Sequence, residues 1–165
     1  MTEDQFWEMI DASRAQAKDC EGQAHKLQRL LFESSAQDIL AFDRIFRQKL
    51  IDAYRWDLWG IAYLINGSCS PKGMRGFCCW LVGQGRETYS QILQEPESIL
   101  RWVEEDEEEL GCEALMQVSA YAYDDVVGDD MPVSPLTLPD EPTGKPWEAK
   151  DLEQQFPKVA EVFVR

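Results

Sequence analysis

Basic residues and histidine are what this sequence has least of. Sixteen Lys and Arg face 31 Asp and Glu, a formal net charge of −15, and there is one His. Nucleic acid and anionic lipid would both be repelled by such a surface, so direct binding to either is not expected. One His and no Cys-x-x-Cys pair exclude the common zinc frameworks. Long apolar runs are missing too. The longest, residues 58–65, includes Gly60 and Tyr63 and falls far short of the roughly 20 residues that a membrane-spanning helix needs. The N-terminus has neither the basic nor the apolar stretch of a signal peptide. No segment alternates with period two, and no internal repeat is visible.

Cysteine is present in an odd number, as Cys20, Cys69, Cys78, Cys79 and Cys112, at irregular spacing. Neighbouring Cys78 and Cys79 face different directions on a helix, which suits reduced, packed thiols better than a disulfide framework. The expectation is therefore a protein of the reducing cytoplasm.

What is present is core material. In 165 residues, 44% are hydrophobic, with 6 Trp, 7 Phe and 5 Tyr, enough to bury a core in one domain. Thr2 and Gln5 have capping-box spacing, and Phe6, Met9 and Ile10 give the helix after them an apolar face. A second helix is expected over 25–32, with Leu27, Leu30 and Leu31 inward. Ser35 is placed to cap a long helix over 36–53, whose stripe is Ile39, Phe42, Ile45, Phe46, Leu50 and Ala53. Residues 57–65 have almost no polar face and read as a buried central helix ended by Asn66-Gly67. Ser70-Pro71 then supplies an N-cap and first turn for a helix over 71–82. Shorter helices are expected over 86–93, 96–103 and 112–121. Five prolines between 131 and 146 exclude helix there, and a last helical segment over 147–163 is interrupted at Pro157. The expected fold is a single all-α domain over 1–165. Its helical core ends near 123, an acidic and proline-rich segment spans 124–147, and a C-terminal helix spans 147–163.

Charge is unevenly distributed. Residues 1–94 hold twelve acids and eleven bases; residues 95–165 hold nineteen acids and five bases. The densest acids are Glu104, Glu105, Asp106, Glu107, Glu108 and Glu109, followed by the pairs Asp124-Asp125 and Asp129-Asp130. Such runs commonly serve as a solvated face. The alternative is a docking surface for a basic partner, since complementary charge speeds encounter and penalises wrong partners. Consecutive acids on a helix do not converge on a cation, and no calcium-loop spacing occurs, so no metal is expected.

Catalytic patterns are sparse. No Gly-x-Ser-x-Gly elbow occurs, Gly83-Gln84-Gly85 lacks the remainder of a phosphate loop, and His25 has no carboxylate at a diagnostic spacing. The most informative concentration lies between Tyr54 and Tyr89. Asp57, Trp59, Tyr63, Arg86, Glu87 and Tyr89 make a candidate pocket, if the helices over 57–65 and 71–82 pack so that Arg86 and Glu87 approach Asp57. An Arg among acids and aromatics is either a structural ion pair or the polar floor of a binding site.

The same stretch carries a resemblance. Asp57-Leu58-Trp59-Gly60, Tyr63-Leu64-Ile65-Asn66-Gly67, Cys69-Ser70, Phe77, Trp80-Leu81 and Gln84-Gly85-Arg86-Glu87-x-Tyr89 resemble the bacterial DUF4240 family, as do the opening residues 1–7 and Phe156-Pro157. Cys78-Cys79 departs from it, since the resemblance implies a basic residue directly after Phe77. It implies a small cytoplasmic bacterial domain, sometimes beside WGR domains, and implies no activity, cofactor or catalytic residue.

Three functional readings follow. The first is an acidic protein-interaction domain, most concretely an immunity-type inhibitor of a basic toxin such as a nuclease. The second is a small-ligand-binding protein or enzyme using the Asp/Arg/Glu/aromatic pocket. The third is a regulatory or scaffolding module. No cofactor is expected, and oligomeric state is left open.

Overall fold

The helices start where short polar side chains can satisfy their first free N–H groups. In α1 (Glu3–Ala15) the Gln5 N–H donates to Thr2 Oγ1 at 3.1 Å and the Thr2 N–H donates to Gln5 Oε1 at 2.8 Å, the expected capping box. Helix α2 (Cys20–Phe32) begins well before residue 25, because Asp19 caps it by accepting from the Gly22 N–H at 2.7 Å. Ser35 caps α3 (Ala36–Ala53), and Ser70 caps α5 (Pro71–Gly83) with Pro71 in its first turn. Between them α4 (Trp56–Asn66) ends at Gly67, whose φ is 82°. Helix α6 (Arg86–Gln94) is followed by a 3-10 turn, Pro96–Arg101. The computed structural model that gives these elements describes residues 1–106 and 109–164. Among them no strand forms; the closest approach to one is a single bridge between Arg55 and Thr143.

Besides the early start of α2, several stretches differ from expectation: the helix expected over 96–103 is the 3-10 turn ending at Arg101, and the segment expected from 147 begins at Ala149. The helix expected over 112–121 is a 3-10 turn, Glu113–Gln117, leading into α7 (Val118–Val127). Asp124 and Asp125 therefore lie on a helix instead of in the acidic segment, and the helical core runs past 123. Both are exposed, Asp125 accepts from Gln28 Nε2, and the helix stops only at Gly128. A further difference concerns sulfur. Cys20 and Cys112 form a disulfide, with Cα atoms 5.5 Å apart, so the expectation of uniformly reduced thiols is corrected. The early start of α2 places Cys20 in a helix. On the other side, the Cys112 N–H donates to Gly76 O at 2.9 Å, anchoring the incoming chain on α5. Three free thiols are left, Cys69, Cys78 and Cys79.

The core is continuous from α1 to Val159 near the C-terminus. Phe6, Phe42, Leu58, Ile61, Met74 and Phe77 are fully enclosed, each stabilising the fold by about 1.5–3 kcal/mol. Helix α7 packs on α2 and α3, and α5 packs on α3. Residues 128–148 cross the surface as a proline-rich strap. It is fastened near its end: the Trp56 N–H donates to Thr143 O at 2.9 Å, and the Thr143 N–H donates to Tyr54 O at 3.1 Å. A 3-10 turn, Ala149–Asp151, then leads into α8 (Leu152–Gln155) and α9 (Pro157–Phe163), which lie on α4. Gly60 permits that approach, since a Cβ there would stand 2.8 Å from Leu152 Cδ2 and 3.0 Å from Phe156 Cε2.

Candidate functional site

The six residues of the sequence-derived pocket separate into two groups. Asp57, Trp59 and Tyr63 lie on α4. Asp57 accepts two hydrogen bonds from Arg55, at 2.9 and 2.6 Å, and one from the Leu58 N–H at 2.8 Å, at the N-terminal end of its own helix. The Asp57 carboxylate raises the Arg55 guanidinium pKa above its ordinary value, against the opposing effect of burial. Trp59 stacks on Trp56 at 5.4 Å, and its indole N–H donates to Cys69 O at 2.9 Å. Trp147, arriving from the strap, donates to Trp56 O at 2.6 Å and meets Tyr63 edge-on at 5.4 Å. This aromatic cluster clasps the end of the strap.

Arg86, Glu87 and Tyr89 lie on α6. Arg86 takes its carboxylates from α1, with Asp4 at 2.6 Å and Glu3 at 3.8 Å, so a surface pair replaces the approach to Asp57. Glu87 is exposed. The Tyr89 hydroxyl donates to Lys49 O at 2.7 Å and its ring lies 5.3 Å from Trp7. Burial, reinforced by the Asp52 charge, raises the Tyr89 phenol pKa, so the ring stays neutral. Lys49 pairs with Glu3 and covers Trp7. None of these six candidate side chains lines any of the four clefts described next.

The acidic residues also separate. Glu109 stands three positions before Cys112 and lines a cleft with Asp19 and Cys20, at the start of α2. Glu104, Glu105 and Asp106 precede it on the same exposed segment; Glu107 and Glu108 lie outside the described residues. Asp125, by contrast, accepts from Gln28 Nε2 at 3.1 Å near the other end of α2. A 13-residue helix is about 20 Å long, so the eight described acids form two patches rather than one. Among the described residues, no three His, Cys, Asp or Glu come together as a metal-holding group.

The patch at the end of α2 carries something the sequence did not announce. Phe32, one turn beyond Gln28 on the same face, is 55% exposed; Val126, Val127 and Leu40 are exposed as well, and Val133 is 96% exposed. A groove of about 440 Å³ runs between α3 and the strap, lined by Leu40, Ala41, Pro132, Val133 and Pro135 among others. Along the chain Asp124 and Asp125 precede Val126 and Val127, and Asp129 and Asp130 come just before Pro132 and Val133; all four are exposed. A smaller cleft of about 350 Å³ between α2 and α7 contains His25, Gln28 and Tyr121, and one of about 300 Å³ lies under the strap beside Arg47 and Arg75.

At the start of α2 the larger cleft, about 710 Å³, is bounded by Arg14, Lys18, Gln23, Trp80, Gln84 and Trp102, with the Cys20–Cys112 bridge in its wall. Sequence reasoning missed it, because its walls are brought together by a bridge across 92 positions. The free thiols offer no nucleophile. Burial raises the pKa of Cys78, that of Cys79 to about 12, and that of Cys69 to about 11 with help from the Glu109 charge, so all three stay protonated at neutral pH.

The chain belongs to the family described as "Protein of unknown function (DUF4240)", whose model matches residues 1–125. The strap, α8 and α9, with Phe156-Pro157, lie beyond the matched span. No curated protein and no solved structure matches the chain. No helix among the described residues is long and apolar enough to cross a membrane.

Proposed function

We propose that this chain is a protein-interaction domain whose docking face lies at the end of α2, and whose partner is a basic protein. The observation that carries this reading is the coincidence, on one end of the molecule, of exposed apolar side chains with four exposed Asp. Phe32, Leu40, Val127 and Val133 leave apolar area in water, which monomers rarely do contiguously unless something covers it. Asp124, Asp125, Asp129 and Asp130 supply the charged rim that steers a Lys- and Arg-rich surface onto that area. The most concrete form of the role is an immunity-type inhibitor that occupies a basic toxin such as a nuclease. Cytoplasmic residence belongs to this reading, and the Cys20–Cys112 bridge is the feature that opposes it, since such bridges are rare in reducing compartments.

The experiment is affinity capture from the native host at low and high salt, run with two variants. Asp124→Asn/Asp125→Asn/Asp129→Asn/Asp130→Asn is expected to lose a salt-released basic partner, while Glu104→Gln/Glu105→Gln retains it. Toxicity of that partner alone, relieved by co-expression of this chain, marks the immunity role. Equal capture by both variants removes the proposed face.

A further inference from the structure

The cleft at the other end of α2 has a composition of its own. Its lining holds two cations, Arg14 and Lys18, and two carboxylates, Asp19 and Glu109. Among the described residues neither cation is ion-paired: Arg14 donates from Nη2 only to the neutral amide oxygen of Gln84, at 3.1 Å. The floor is supplied by Gln23, a polar side chain only 6% exposed. Its orientation is fixed, because Nε2 donates to Gly83 O at 2.8 Å and approaches Ser13 Oγ at 3.4 Å. Its Oε1 accepts from no group among the described residues. Gln23 itself lines the cleft. Trp80 and Trp102, both half-buried, add flat apolar surface, and neither indole N–H is donated within the described protein.

We infer that this cleft binds a small zwitterion of the amino-acid or short-peptide class. The ligand carboxylate meets Arg14 and Lys18, its ammonium group donates to Gln23 Oε1 and Glu109, and an apolar side chain lies against Trp80 and Trp102. Charge balance selects the class. A purely anionic ligand such as a nucleotide would face the Asp19 and Glu109 carboxylates, and a polyamine would face the two cations; a zwitterion satisfies both signs at once. The volume, about 710 Å³, suits a ligand of dipeptide size with bridging water. The site is independent of the docking face, which lies at the far end of α2.

Tryptophan emission and titration calorimetry of the full chain, with the disulfide intact, test the inference. The probes are L-phenylalanine and glycyl-L-phenylalanine, with N-acetyl-L-phenylalanine amide and adenosine monophosphate as comparators. At least one free zwitterion is expected to bind saturably with a Kd below about 1 mM, and the doubly capped amide at least about tenfold more weakly. Arg14→Gln/Lys18→Gln is expected to weaken the zwitterion by about tenfold or more at an unchanged melting temperature, since both side chains are exposed. The inference is overturned if neither zwitterion binds, if the capped amide binds equally well, or if adenosine monophosphate binds more tightly than both.

Discussion

Helix α2 connects two ends of the molecule that solve the same surface problem differently. At its start the chain is pinned: Cys20 is bonded to Cys112, the Cys112 N–H is held by Gly76 O, and the resulting walls are concave and carry both charge signs. At its end nothing covalent holds the neighbouring chain. Helix α7 finishes at Gly128, and the strap leaves with its carboxylates and apolar side chains facing outward. A charge-balanced cleft suits a small polar ligand, whereas an exposed apolar groove beside acids suits a macromolecule. The contrast shows that a net charge of −15 says little about any one site, because the cleft lining is neutral by count.

The largest expected effect comes from breaking the pinned end. A bridge across 92 positions restricts the unfolded chain by about 4–5 kcal/mol in the chain-entropy picture. Cys20→Ser/Cys112→Ser should therefore lower stability by several kcal/mol, or the melting temperature by roughly 10 °C, read in urea and thermal unfolding. The same change should loosen the cleft wall and weaken zwitterion binding, while leaving capture of a basic partner intact if the variant is folded. A thiol titration of the denatured wild-type chain should find three reactive thiols without reductant and five with it. Unchanged stability in the double variant would remove the contrast between a pinned and an unpinned end.

A smaller effect is expected where the strap departs. Gly128 has φ of 79° with open space around it, so Gly128→Ala meets no neighbour and tests backbone conformation alone. The left-handed region costs a residue with a Cβ about 1–2 kcal/mol, and denaturant unfolding should show a loss of that size. The variant also asks how strictly the end of α7 aims the Asp129-Asp130 pair. If a partner depends on that aim, its affinity should fall more than the folding stability does.

How much of this was legible depends on the sequence distance over which each feature is determined. The caps at Thr2, Ser35 and Ser70, the stop at Gly67 and the break at Pro157 involve neighbours within a turn, and the residue types state them directly. Asp19 has the same chemistry, but the polar run before Leu27 masks it and places the expected start of α2 too late. Past Tyr123 the apolar pattern fades and the expected core ends there, yet burial of Val118, Ser119 and Ala122 anchors α7, which runs through Asp124-Asp125 to Val127. Arg86 illustrates the limit at the candidate site. Its choice between Asp57 and Asp4 depends on how α6 lies against α1, and no local pattern encodes that packing. The cleft is less legible still, because Arg14, Trp80, Trp102 and Cys112 share nothing along the chain.

The smallest effect on folding is expected at the unpinned end. Val133 is 96% exposed and Phe32 is 55% exposed, so Val133 buries almost nothing on folding and Phe32 only part of its ring. Phe32→Ser/Val133→Ser should thus change stability by no more than about 0.5–1 kcal/mol in urea unfolding, within the usual range for surface substitutions or just above it. Removing the same groups from an interface core is a different matter, since each then leaves a partner's apolar surface uncovered. Affinity for a captured basic partner should fall about tenfold or more, in an off-rate that salt does not mimic. Neutralising the four Asp should instead act on the on-rate and its salt dependence. A double variant that destabilises the fold by well over 1 kcal/mol would mean that these side chains serve α2 and the strap internally, and the two ends of the helix would then differ only in their covalent pin.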